Sequence, residues 1–310
     1  MNKPRKSAQG SHQKNALGVL FIAAAALFLA PVIARPQSLT VPAQGEIPVA
    51  FVIGNDAEVL DFTGPLEVFA HALTSDGHPM FKPYFVAASK DPVQVSGGLR
   101  VVPDYTFADA PAPKVVVIPA LSKPPPAMID WIRQVSGGAD VTMSVCTGAF
   151  VLAETGLLDG KPATTHHGGY FRFAGTYPKV QLREGVRYVE TGNLATAGGV
   201  TSGIDLALRV VERYAGHGQA QTIADIMEYQ GLGWLHPEAN QAYASPPQST
   251  EQNPICPLCG MPADKTIHSE FQGKTFYFCS KDEKAFFDGH PEVAKKLLAK
   301  GAGAQIPNDH

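Results

Sequence analysis

Apolar residues in this chain gather into solid runs separated by mixed, helix-periodic stretches. "IPVAFVI" (Ile47 to Ile53), "KPYFVAA" (Lys82 to Ala88), "KVVVIPA" (Lys114 to Ala120) and "DVTMSV" (Asp140 to Val145) read as buried strands. "NLATAGG" (Asn193 to Gly199) reads as strand then turn. Between the strands lie helix candidates: "PLEVFAHAL" opening on Pro65, "PAMIDWIRQV" (Pro126 to Val135), and "GAFVLAETGLL" (Gly148 to Leu158) with a glycine break. The clearest amphipathic helix is Ser202 to Gly216, with Ile204, Leu206, Leu208, Val211 and Tyr214 near helical spacing. Solid apolar strands separated by helices predict an α/β fold, a parallel sheet with helices on both faces.

The pattern changes after Trp234. Residues 234–254 are polar and rich in Pro and Ser, without periodicity, and read as a linker. Beyond it, "EFQGKTFYFCS" alternates as a strand and "KAFFDGHPEVAKKL" reads as a helix with a break, in a small α+β module over 255–300. Residues 301–310 read as a disordered tail. At the other end, Lys3, Arg5, Lys6 and Lys14 precede an apolar run from Ala16 to Ala34, followed by a polar spacer over 35–46. Residues 1–34 therefore predict an export signal or a retained membrane anchor, and an extracytoplasmic, periplasmic location where disulfides are permitted.

The 310 residues carry 45% hydrophobic and 17% charged side chains, enough for one large domain and a small one. A net charge of −3, with no basic block outside the N-terminus, argues against a nucleic-acid partner.

Four cysteines carry the candidate chemistry. Cys146 sits where a strand ends and a helix begins, and ligands gather at the carboxyl ends of strands in such sheets. Small flanking residues suit a sharp turn that projects the thiol, and a helix N-terminus would lower its pKa. The alternative is a small hydrophobe in a buried turn. Cys256-x-x-Cys259 followed by Gly260 has the spacing of a metal knuckle.

"DFTGPLEVF", "SVCTGAFVLAETGLLDGKPATTHH" and "TAGGVTSGIDLALRVVER" occur in that order. Together they resemble the ThiJ/PfpI superfamily on the class I glutamine amidotransferase-like fold, over about Ile47 to Gly233. The nearest branch by motif contains isonitrile hydratases and the sensor domains of some AraC-type regulators. The resemblance implies a flavodoxin-like three-layer domain over 47–233, a small-molecule substrate or ligand, no organic cofactor, and a homodimer. It implies Cys146 as nucleophile, Asp61 as the carboxyl group approaching the sulfur, and Thr147 as a residue facing the substrate. His166, with His167 as substitute, matches a histidine near the thiol. Thr147 stands where protease-like members carry His, which speaks against peptidase activity. Ala120 and Leu121 stand where many members carry Gly-Gly, which predicts backbone strain and an altered oxyanion hole. For Asp61 the competing reading is a loop or capping carboxylate, and for the two histidines a surface pair.

"CPLCGM", "FYFCS" and "HPE" resemble a YHS domain, related to TRASH metal-binding modules. The resemblance implies zinc or copper held by Cys256, Cys259, Cys279 and, in place of a fourth cysteine, Glu283. His268 and His290 are spare candidates, and a disulfide is the alternative to a metal. No helix-turn-helix follows the large domain. The readings are an exported hydratase acting through Cys146, a non-catalytic ligand or metal sensor, or a thiol-based stress protein.

Overall fold

The computed structural model describes residues 38–42, 45–246 and 248–305, which fall in one compact unit, Pro36–His310. The segment read as a signal or anchor lies outside the described residues. Among those described, no helix is long and apolar enough to cross a membrane.

The solid apolar runs form the centre of a seven-stranded sheet. Its strands are β1 (Ile47–Val52), β2 (Phe81–Ala87), β3 (Tyr105–Thr106), β4 (Val115–Ile118), β5 (Val141–Ser144), β6 (Tyr188–Thr191) and β7 (Leu194–Ala197). They lie in the order β6-β7-β5-β4-β1-β2-β3, and every pairing is parallel except β6 with β7. The order reverses beside β1, as in a flavodoxin-like doubly wound sheet. Two apolar cores fill the two faces. One holds Phe51, Val117, Met143, Leu206 and Val210; the other holds Val52, Val116, Ile132, Leu152 and Phe173. The parallel sheet covered on both faces is as the pattern predicts.

The helices are α1 (Val59–Ala70), α2 (Pro126–Ser136), α3 (Gly148–Glu154), α4 (Tyr170–Thr176), α5 (Ser202–Ala215) and α6 (His217–Ile226). Two depart from expectation. α1 starts six residues before Pro65, so the proline lies inside the helix and Asp61 in its first turn. The interior proline sits at a close crossing. A Cβ on Gly64 would lie 2.9 Å from Ile204, and one on Gly203 would lie 3.3 Å from Pro65, so α1 and α5 pack too tightly for larger residues. α3 ends at Glu154, before Gly156 with φ +80°.

The small lobe contains β8 (Asp264–Phe271), β9 (Lys274–Phe278), α7 (Lys281–Gly289) and α8 (Pro291–Ala299), with a short strand Ala304–Gln305 beside β9. It shares its core with the large domain: Tyr170 and Phe171 of the α4 region pack with Cys256, Leu258, Phe278, Phe287 and Leu297. The segment read as a linker is seated, not loose. Trp234 is buried beneath His217, and Gln241 donates to the Gly185 carbonyl.

Candidate functional site

The turn after β5 places Cys146 at the carboxyl edge of the sheet. Its φ is +58°, a left-handed conformation that non-glycine residues rarely adopt and that recurs at functional turns. The neighbours enforce it. Val145 N–H donates to the Ile118 carbonyl, and Cys146 N–H to the Gly198 carbonyl, each at 2.9 Å. The Thr165 hydroxyl donates to the Cys146 carbonyl at 2.9 Å. Gly148 closes the turn against β4: a Cβ there would lie 2.3 Å from the Ile118 oxygen and 2.7 Å from that of Pro119.

Asp61 meets this turn from the first turn of α1. It is fully buried, and Glu58 occupies the cap position, so the reading of Asp61 as a cap does not hold. Oδ2 accepts a hydrogen bond from Ala120 N–H at 2.9 Å. Oδ1 accepts no well-formed hydrogen bond among the described residues, although the Cys146 thiol lies close enough to favour the ionised carboxylate. Burial outweighs these contacts and, with the charge of Glu58, pushes the carboxyl up to about 7. Ala120 corrects another expectation. Its φ is not in the left-handed region, so alanine is unstrained there, and its N–H holds Asp61.

The thiol also departs from expectation. Burial and the Asp61 carboxyl raise its pKa, and the Thr147 backbone and side chain only partly offset them. The predicted lowering by a helix N-terminus is outweighed, because α3 has only seven residues and Cys146 is buried, 8% exposed. At neutral pH the pair therefore rests as a Cys146 thiol beside a half-ionised Asp61.

Thr147 directly contacts the sulfur. His166 does not. Its Nδ1 accepts from Gly168 N–H at 3.1 Å, and burial with the adjacent His167 brings the ring down to about 4, so it is neutral at pH 7. The two rings lie 4.3 Å apart between centroids and tilted by 37°, and His167 packs in turn against Tyr243 of the seated segment at 4.8 Å and 40°. The structure thus joins Cys146, Asp61 and Thr147, and gives His166 a turn-building role beside them. Ala120 N–H and Thr165 were not singled out from sequence as partners; their roles arise from contacts across 59 and 19 residues.

In the small lobe, the sulfurs of Cys256, Cys259 and Cys279 lie within 4.8 Å of one another, with Cys259 and Cys279 at 3.3 Å and no disulfide. Gly260, φ +76°, folds the knuckle back so that its N–H donates to the Cys256 carbonyl. Donation from Cys259 lowers the pKa of the Cys256 thiol. Glu283 stands outside this group. Its Oε1 pairs with Arg172 of α4, while its buried Oε2 has no partner among the described residues. His268 bonds the Lys265 carbonyl and His290 that of Phe286, so neither joins the sulfurs.

The model of the DJ-1/PfpI family matches residues 48–213. An isonitrile hydratase of Pseudomonas putida is 35% identical over 186 residues, covering 58% of this chain and 78% of that protein. The HTH-type transcriptional regulator CdhR of Pseudomonas aeruginosa is 28% identical over 162 residues, covering 51% of this chain and 47% of the regulator. Among solved structures, a ThiJ/PfpI family protein from Pseudomonas syringae superposes with a TM-score of 0.54 at 26% identity, covering 66% of this chain and 81% of that one.

Proposed function

The chain belongs to the DJ-1/PfpI family, and on that premise we propose that it hydrates a small isonitrile-class substrate through Cys146. The observation that carries the reading is the buried Asp61 carboxyl, anchored by Ala120 N–H beside the strained Cys146 turn. The 35% identity to an isonitrile hydratase supports the substrate class.

In this reading the Cys146 sulfur attacks the terminal isonitrile carbon. Ionised Asp61 takes the thiol proton as the C–S bond forms, then passes it to that carbon, giving a thioimidate (Cys146–S–CH=N–R). Water adds across the C=N bond to give a tetrahedral S–CH(OH)–NH–R adduct. Its collapse breaks the C–S bond, releases the N-substituted formamide and returns a proton to the sulfur. The sum is isonitrile plus water to formamide, with no redox change. Incubation with alkyl and aryl isonitriles, with formamide detected by mass spectrometry, tests it. Turnover absent from the wild-type chain would contradict the hydratase. Saturable ligand binding without turnover would then favour the sensor reading, which the similarity to CdhR supports.

The three sulfurs of the small lobe, gathered within 4.8 Å of one another, would suit a soft ion such as zinc or Cu(I) when deprotonated. Bound there, such an ion would supply a crosslink between the knuckle and the end of β9. We assign Cys256, Cys259 and Cys279 as its ligands and Glu283 to the Arg172 ion pair. Export rests on the cationic flank and the apolar run of Ala16 to Ala34. A fusion of residues 1–46 to a reporter active only outside the cytoplasm tests it, and an inactive reporter would refute it.

A further inference from the structure

The small lobe does not merely hang beside the large one; it presses the backbone of its cysteine knuckle on the turn that supports the nucleophile. A Cβ on Gly168 would lie 2.3 Å from the Cys259 carbonyl oxygen, and one on Gly260 would lie 3.6 Å from the Gly168 Cα. The knuckle backbone and the His167–Gly169 turn therefore touch with no room for a side chain. The next residue carries the contact onward. A Cβ on Gly169 would lie 3.3 Å from the Phe150 ring and 3.7 Å from Thr147 Cγ2. Thr147 contacts the Cys146 sulfur, and Thr165, at the entry to the same turn, donates to the Cys146 carbonyl. His166 ties the turn together by accepting from Gly168 N–H.

A second tie runs in parallel. Arg172, on α4 immediately after the turn, pairs with Glu283 four residues beyond Cys279, and its guanidinium lies 5.4 Å from the centre of the Phe286 ring. A Cβ on Gly175 would lie 2.8 Å from Phe286 and 3.0 Å from Val293. Buried apolar side chains from both lobes fill the seam beside these contacts.

We propose that occupancy of the Cys256–Cys259–Cys279 trio by a thiophilic ion controls access to Cys146, through Cys259, the His167–Gly169 turn and Thr147. The proposal rests on the metal assignment given above. An ion on the trio fixes the Cys259 backbone, and with it the turn pressed on Thr147. Without the ion, no ligand bond joins the three thiols, and the knuckle rests on its hydrogen bonds and core packing alone, so the turn is freer to open. A buried cysteine such as Cys146 reacts with reagents in solution chiefly when its surroundings open locally, so closure of the turn protects it. Linkage makes the effect reciprocal: whatever closes the Cys146 turn also tightens the ion by the same factor.

The test uses the full chain, reduced, with zinc ion as the probe. Zinc affinity is read by competition with a chromophoric chelator. Alkylation of Cys146 by iodoacetamide is followed by peptide mass spectrometry, with and without zinc. We expect zinc to slow Cys146 alkylation about five- to tenfold. In Gly168→Ala, and in Arg172→Gln as a milder variant, zinc should still bind but the difference should shrink to less than twofold, with a matching loss of affinity. Zinc binding with unchanged Cys146 alkylation would overturn the coupling and leave the metal site standing. An undiminished zinc effect in both variants would overturn the path. No zinc binding would overturn the metal assignment and the coupling together.

Discussion

Ala120 donates its backbone N–H to Oδ2 of Asp61 at 2.9 Å, linking the end of β4 to the first turn of α1. One oxygen of the carboxyl is thereby fixed, and the other has no formed partner beside the Cys146 thiol. The pair can then exchange one proton without a water between them.

The carboxyl is held up to about 7, so the form with ionised Asp61 and protonated Cys146 becomes the main one above that pH. The hydration rate at low substrate should rise about tenfold per pH unit below about 7 and level off above it. Asp61→Asn should lose the inflection and about 10²–10⁴ in rate. A profile already flat between pH 5 and 8 in the wild type would contradict the proton relay.

The same group has a stability signature. Its folded pKa is raised above the 3.8 of an exposed carboxyl, so its neutral form favours folding. That contribution is fully present below pH 3.8 and is lost as the pH rises through about 7. At about 1.4 kcal/mol per pH unit, the loss has an upper limit of about 4 kcal/mol. Urea unfolding from pH 4 to 8 should show the wild type losing stability relative to Asp61→Asn over that window. Parallel curves would place Asp61 in a more polar setting.

Much of this was legible from sequence. Unbroken apolar runs such as Val115–Ile118 specify buried parallel strands, and small residues around Cys146 mark the tight turn. The motif placed Asp61 near the sulfur although 85 positions separate them. The start of α1 was not legible, because a proline is ordinarily a first-turn residue and its tolerance at Pro65 depends on the crossing with α5. The direction of the Cys146 pKa was not legible either. It depends on burial and on Asp61, both set by tertiary packing, and these outweigh the local effect of a seven-residue helix. The YHS resemblance implied Glu283 as a ligand in place of a fourth cysteine, but its partner Arg172 lies 111 residues away and carries no local signal.

The trio of sulfurs should bind about one zinc or cadmium ion per chain. Cadmium should add a thiolate charge-transfer band in the near ultraviolet, and a Cys256→Ser, Cys259→Ser, Cys279→Ser variant should lose it. Glu283→Gln should keep the band, since its carboxylate pairs with Arg172. Loss of the band in Glu283→Gln would return Glu283 to the ligand set.

Gly148→Ala tests the turn itself. A Cβ at 2.3 Å from the Ile118 oxygen has only backbone to displace, so the cost should be about 2–4 kcal/mol. The urea midpoint should fall accordingly, and hydration should fall further than folding accounts for, because Cys146 moves with the turn. Unchanged stability would mean the turn and β4 separate readily.

The central claim is that Cys146 forms a covalent bond to substrate carbon and Asp61 moves the proton. The most direct measurement is isonitrile hydration in ¹⁸O-labelled water, with intact-protein mass spectrometry during turnover. The account predicts formamide carrying one labelled oxygen and a transient adduct on Cys146 equal in mass to the whole substrate. It also predicts that Cys146→Ala, folded as the wild type, shows neither. Formamide produced at an undiminished rate by Cys146→Ala would contradict it.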